Sequence, residues 1–387
     1  MLLNIKIKNV NAIKECNLDF KKASYKYLPD SILDDVVNPM SIYGHNGSGK
    51  TSVLRAMGQL IDMMTIQPNF IRPFVVNVFT LNEVHEKNRR TQRILSEGIG
   101  SIELTFDLGK SKIYTYHIST YIGGFIYEES LYKGKTLIYT YHCSKGLKIK
   151  DEEMDRSFHQ SCVPFIRKLA AIKVENKEIQ RVFDYLSNFI FVDLPNKNSL
   201  NGFVHSKMHS SMKTLDLLVK YSDEVREILS KYEDFPLYVV RKDETNFGLG
   251  IQKNQYRLVL EDSGVKREIA VEYMSAGMFN NSLLLSIALS TPKNGVIFID
   301  ELEQALHPTA VLAFLDIIKE KKIQLVFTSH NTNILQYLRP DQIYFAKWRD
   351  GSSHYYRLSE IYPNIREINN IEKMYLSNLF EEYMNGN

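Results

Sequence analysis

The sequence predicts an α/β protein with a mixed or parallel core sheet, an antiparallel β-subsheet and an inserted helical region. Three observations carry that expectation. A strand, a glycine-rich loop and a helix follow one another around residue 45. A strand–helix–strand unit surrounds residue 310. Between them, residues 101–143 are dense in β-formers and residues 150–235 are patterned as helix.

The first unit is the most specific. Gly44-His45-Asn46-Gly47-Ser48-Gly49-Lys50-Thr51 fits the pattern G-x-x-x-x-G-K-[ST]. Glycines let backbone N–H groups turn inward around phosphate oxygens. The lysine supplies a point charge to the β- and γ-phosphates, and the threonine offers a hydroxyl to Mg²⁺. The flanks agree: Met40 to Tyr43 reads as a strand, and Val53, Leu54, Met57, Leu60, Ile61 and Met64 recur at helical spacing. This context puts the phosphates at a helix N-terminus, where oriented backbone dipoles favour anions.

Composition narrows the class. The chain has 387 residues, 44% apolar and 24% charged, which suits a globular protein with a sizeable core. No stretch approaches the ~20 apolar residues of a membrane span. The first eight residues alternate apolar and polar like a strand, not like a signal peptide. Three cysteines (Cys16, Cys143, Cys162) without a C-x-x-C pair imply neither a disulfide frame nor a zinc site, so a cytoplasmic location is expected. A net charge of +3 does not by itself argue for nucleic acid.

Residues 3 to 20 read as an antiparallel ribbon turning at Asn9 to Asn11. Segment 82–93, with Lys87, Arg89, Arg90 and Arg93, reads as a solvated loop, with an acidic-partner arm as the alternative. Ile102 to Phe106, Ile113 to Ile118, Gly124 to Tyr127 and Leu137 to Tyr141 predict the antiparallel sheet. Its tyrosines (114, 116, 127, 132, 139 and 141) suit strands better than base stacking. Two apolar stripes, Phe165 to Leu186 and Leu215 to Leu229, predict helices on either side of a polar loop at Pro195 to Gly202. The expected organisation is a core formed by 1–149 and 236–387, with 150–235 as a helical insertion.

The second unit supplies acids. Val296-Ile297-Phe298-Ile299 reads as a buried parallel strand ending in Asp300-Glu301. An Asp there can hold Mg²⁺ with Thr51, and the following Glu is placed to orient an attacking water. Pro308 fits the first position of a helix, and Leu325 to Ser329 reads as the next parallel strand, ending at His330. Asp300, Glu301 and His330 then share the C-terminal edge of the sheet, where such folds bind ligands. Upstream, Ser275 and Gly277 precede a helix and form a weak anion-site signal.

The order of these motifs resembles the ABC-type ATPase head of transporters, SMC proteins and RecF-like repair proteins. Within that group it resembles the prokaryotic AAA family ATPases of the OLD/RloA type. The P-loop Gly44 to Thr51, the Asp-Glu-Leu-Glu run reaching Pro308, and Gln324 to Leu335 carry the likeness, as do the tail residues Pro340 to Phe345 and Asn370 to Leu376. Ser275-Ala276-Gly277-Met278 departs from the usual Ser-Ser-Gly-Thr signature, and no glutamine-bearing loop is evident.

The resemblance implies ATP and Mg²⁺ as ligands and a homodimer, or larger homo-oligomer, that sandwiches nucleotide. Gly44, His45, Asn46, Gly47, Ser48, Gly49, Lys50 and Thr51 would bind nucleotide in one copy, facing Ser275 and Gly277 of the other. Glu301, His330 and Lys50 would carry catalysis, and Thr51 and Asp300 the metal. Only 57 residues follow His330, without the Asp-x-Asp of a nuclease domain. A separate effector protein, a nuclease or toxin, is therefore expected, in phage defence or abortive infection. A RecF- or SMC-like ATPase acting on DNA is the alternative, a transporter subunit or inert scaffold less so, and no membrane is expected.

Overall fold

The computed structural model describes residues 1–65, 98–109, 112–121, 124–149, 152–153, 161–172, 176–193, 204–205, 214–231, 237–247, 251–262, 265–304 and 308–384. Segment 82–93 and the loop Pro195 to Gly202 lie outside the described residues.

The chain opens with β1 (Leu2–Val10) and β2 (Ile13–Asp19), an antiparallel pair whose alternating pattern buries Ile5, Ile7, Cys16 and Leu18. A two-stranded ribbon, β3 (Ile32–Leu33) and β4 (Val36–Val37), leads to β5 (Met40–Tyr43) and α1 (Lys50–Thr65). A meander follows: β6 (Ile99–Asp107), β7 (Ile113–Tyr121), β8 (Ile126–Lys133), β9 (Thr136–His142), β10 (Gly146–Ile149) and β11 (Glu152–Glu153). Next come α2 (Phe165–Ala171), α3 (Lys177–Leu186), β12 (Phe189–Asp193), β13 (Val204–His205), α4 (Thr214–Lys220) and α5 (Ser222–Leu229). Three further strands, β14 (Leu237–Phe247), β15 (Ile251–Asp262) and β16 (Val265–Ala270), form a separate antiparallel sheet. The remainder comprises α6 (Ala276–Ser290), β17 (Val296–Asp300), α7 (Pro308–Glu320), β18 (Gln324–Thr328), β19 (Ile343–Arg349), β20 (Ser352–Arg357), α8 (Leu358–Ile361), α9 (Ile371–Leu376) and α10 (Leu379–Met384).

Among the described residues, fifteen strands make one sheet in the order β11-β10-β9-β8-β7-β6-β1-β2-β20-β19-β5-β18-β17-β12-β13. The stretch β19-β5-β18-β17-β12 is parallel, and β6 to β11 with β1 and β2 form the antiparallel wing. This is the α/β fold class the sequence predicts, with the phosphate-loop strand β5 inside the parallel core.

Helices cover both faces of that core, which explains why β17 and β18 are apolar along their whole length. Val296 and Phe298 join one hydrophobic cluster with α1, α2 and α3, while Ile297 and Ile299 join the other with α4 to α7. Gly58 sets how closely α1 approaches. A Cβ there would lie 2.3 Å from Phe191 Cδ1, so a side chain at this position would push the helix off β12.

Two expectations gain detail. The block 150–235 is helical at α2 to α5, but it also supplies β12, which pairs in parallel with β17 inside the core. Of the meander tyrosines, Tyr114, Tyr116, Tyr139 and Tyr141 are buried in the core, as strand-forming residues rather than exposed stacking platforms. Tyr116 and Tyr139 donate to Glu129 Oε1 at 3.1 and 2.6 Å, and the backbone N–H groups of Phe165 and Ile166 donate to Glu129 Oε2 and Oε1 at 2.6 and 2.8 Å. This fully buried carboxylate pins the start of α2 onto the wing.

Candidate nucleotide site

Residues 44–49 join β5 to α1, as the spacing predicts, with Gly44, Gly47 and Gly49 at positive φ. Gly49 has no room for a side chain. A Cβ would lie 1.8 Å from Ser353 Oγ, while Tyr355 Oη donates to the Gly49 carbonyl at 2.8 Å. The loop is thus seated on β20. Asn11 Nδ2, in the β1–β2 turn, donates to the Ser52 carbonyl at 3.1 Å and steadies the first turn of α1. His45, Asn46 and Gly47 are exposed at the loop tip, and Ser48 is buried. His45 Nε2 lies 3.7 Å from Glu381 Oε1, and Lys347 pairs with the same carboxylate. A cavity of about 720 Å³ opens beside the loop, lined among others by Phe345, Trp348, Tyr375 and Asn378.

Lys50 is buried, and its ammonium donates to the carbonyls of Gly44 (2.7 Å) and His45 (3.1 Å). Burial pulls its pKa down, while the charges of Asp300, Glu301 and Glu303 pull it up. Thr51 Oγ1 donates to Asp300 Oδ1 at 3.1 Å, a contact spanning 249 positions that ties the loop helix to the end of β17.

Asp300 is 1% exposed. Its carboxyl is pushed up by burial and by the charges of Asp193 and Glu301, against the hydrogen bonds from Thr328 and Thr51. Thr328, at the end of β18, does two jobs. Its Oγ1 donates to Asp300 Oδ1 at 2.6 Å and accepts from the Glu301 N–H at 2.9 Å. That second bond helps hold Glu301 at φ 53°, a left-handed conformation uncommon outside glycine. Glu303 Oε1 accepts from the backbone N–H of His330 at 2.6 Å, so the end of β18 is latched to the turn after β17. His330 itself is exposed.

Gly44 through Thr51, Asp300, Glu301 and His330 therefore gather at one edge of the parallel core. Ser275 and Gly277 do not join them within the chain. They sit exposed at the start of α6, which packs on the sheet face opposite α1. Ser275 caps that helix, its Oγ accepting from the Met278 N–H at 3.2 Å.

Sequence reasoning misses Thr328, Glu303 and Asp193. Asp193 ends β12 in register with Asp300 and is 8% exposed. A signal for it exists: Phe189-Ile190-Phe191-Val192-Asp193 has the same pattern, four apolar residues then an acid, as Val296-Ile297-Phe298-Ile299-Asp300.

Residues 176–336 match a family model described as an AAA domain, putative AbiEii toxin, Type IV TA system. That span holds Asp300, Glu301 and His330 but not the phosphate loop, and the match supports an ATPase-type domain. No curated protein matches the chain. Among solved structures, the chain is similar to an SMC head bound to the C-winged helix domain of ScpA (15% identity, 92% of this chain and 96% of that one, TM-score 0.47). It is also similar to the SMC head domain from Thermotoga maritima (12%, 92% and 98%, TM-score 0.42). The recombination mediator RecF with ATPrS is another (11%, 92% and 98%, TM-score 0.38).

Proposed function

We propose that this chain binds and hydrolyses ATP with Mg²⁺, and that nucleotide-dependent pairing of two copies gates a separate effector protein in prokaryotic phage defence. The observation that carries the ATPase reading is the Thr51–Asp300 hydrogen bond, which brings the phosphate loop to the acidic end of β17. Gly44, His45, Asn46, Gly47, Ser48 and Gly49 would wrap the phosphates, with the Lys50 charge on the β- and γ-phosphoryl oxygens. Glu301 would orient and deprotonate the attacking water, and His330 would sense the γ-phosphate from the end of β18.

The hydroxyl of Thr51 and the carboxylate of Asp300 are hard oxygen donors that fit Mg²⁺. Bound there with nucleotide, the ion would neutralise charge on the phosphoryl oxygens. Ser275 and Gly277 would complete the site of a second copy, because an exposed helix start on the far face is free to meet another chain's phosphates. The defence reading draws on the OLD/RloA resemblance and on a family description that names a toxin–antitoxin system.

Glu301→Gln with saturating ATP and Mg²⁺ tests this. Turnover should fall about 10²–10⁴-fold, the usual worth of a positioned base, while binding persists. Light scattering should find a dimer, and affinity purification from the native host should recover a stoichiometric protein that leaves when ATP is omitted. Near wild-type turnover removes Glu301 from its role, and a monomer under these conditions rejects the sandwich. Bound DNA or recombination proteins in place of an effector would select the repair ATPase.

A further inference from the structure

One buried charge near the site is unaccounted for. Asp193 is 8% exposed, and its Oδ1 is buried with no hydrogen-bond partner among the described residues. A carboxylate oxygen withdrawn from water without a hydrogen-bond donor is unfavourable, so an orphan of this kind calls for an explanation.

Asp193 has another acid as a neighbour. It stands in register with Asp300 on the adjacent parallel strand, at the same end of the sheet. The two charges act on each other, and Glu301 contributes a third. Lys50 feels Asp300, Glu301 and Glu303, but its ammonium donates to the carbonyls of Gly44 and His45. Acids from two adjacent strand ends thus meet at this corner of the sheet.

Its donor chemistry is specific. Two carboxylates from neighbouring strand ends and the Thr51 hydroxyl are all hard oxygens. Mg²⁺ is typically held by one or two protein carboxylates together with substrate phosphates and retained waters. Among the described residues, no group of three His, Cys, Asp or Glu side chains is arranged to hold a metal unaided. The phosphates must then supply the rest, which predicts that metal binding depends on nucleotide.

Resting on the ATPase reading above, we propose that Asp193 is a second carboxylate at the divalent-cation site, acting with Asp300 and Thr51 on the metal that accompanies the nucleotide. β12 thereby takes part in the site as well as in the sheet.

The test is Mn²⁺ binding, followed by electron paramagnetic resonance, to the full chain with a non-hydrolysable ATP analogue, beside analogue binding in EDTA. Asp193→Asn keeps the shape and removes the charge. The Mn²⁺ dissociation constant should rise at least tenfold, with analogue affinity in EDTA unchanged. Asp193→Cys should shift preference from Mn²⁺ toward thiophilic Cd²⁺, a change that a purely structural aspartate would not produce. Wild-type Mn²⁺ affinity in the Asn variant overturns the inference while leaving the ATPase reading intact. If the wild-type chain fails to bind the analogue at all, the ATPase reading falls, and this inference with it. Should the Asn variant not fold, the Cys variant decides: a Cd²⁺ preference no greater than wild type overturns the inference.

Discussion

Glu129 and Asp193 are carboxylates buried in the same sheet, and their surroundings are opposite. Glu129, in the antiparallel wing, is fully enclosed and accepts from two tyrosine hydroxyls and two backbone N–H groups. Asp193, at the edge of the parallel core, has an orphaned oxygen and an acidic neighbour in register. A saturated carboxylate is a fixture that specifies how pieces pack. One left with an orphaned oxygen beside another acid leaves a donor or cation site that a ligand can fill. The wing is thus built to stay as it is, and the core edge to receive something.

Glu129→Ala should orphan four buried donors, each costing about 1–3 kcal/mol, and so lower stability by at least about 4 kcal/mol. Urea unfolding measures it. A loss below about 1 kcal/mol would mean the cage contributes little and the contrast with the core edge is false.

Asp300 sharpens the other side. Burial and the Asp193 and Glu301 charges raise its pKa in the folded state. A carboxyl raised in this way favours folding while protonated and loses that contribution as pH climbs from the unfolded value, about 3.9, through the folded one. Asp300→Asn has no such loss. In EDTA its melting temperature should exceed that of wild type at pH 7, and the gap should close toward pH 4. A gap that stays constant or widens on acidification would show that the core-edge charge is already compensated.

The smallest effect concerns Ser275. As an N-cap alone, Ser275→Ala should cost about 1 kcal/mol in thermal stability and leave turnover per folded molecule unchanged. If it also meets the nucleotide of a second copy, ATP-dependent dimerisation should weaken as well, which light scattering reads separately from stability.

Much of this site is legible in the sequence because phosphate loops are local devices. Six residues between a strand and a helix contain their own turns, and the lysine and threonine follow directly, so 44–51 reads as one unit. Asp300 and Glu301 are legible because a wholly apolar strand ending in acids, ambiguous by itself, takes on a meaning when the same chain carries a phosphate loop. Asp193 escapes notice, although its five-residue pattern matches that of β17. It lies between helical stripes, and nothing local distinguishes a strand that enters the core from one that stays outside. Thr328 is legible as a strand end only. Its two hydrogen bonds, donated to Asp300 and accepted from the Glu301 N–H, exist because β17 and β18 are adjacent, a relation no window of sequence contains.

Local sequence suffices for the parts whose physics is short-range: the glycine loop between β5 and α1, the alternation of the wing, the two-sided apolar core strands and the acids that end them. Tertiary structure alone decided which strand ends became neighbours. The order β19-β5-β18-β17-β12 sets Asp193 beside Asp300 and brings Thr51 within 3.1 Å of it. Packing on two faces sends the helix capped by Ser275 away from α1. Electrostatic cost depends on distance through space, so charges 107 residues apart in sequence (193 and 300) become one problem only once the sheet has formed.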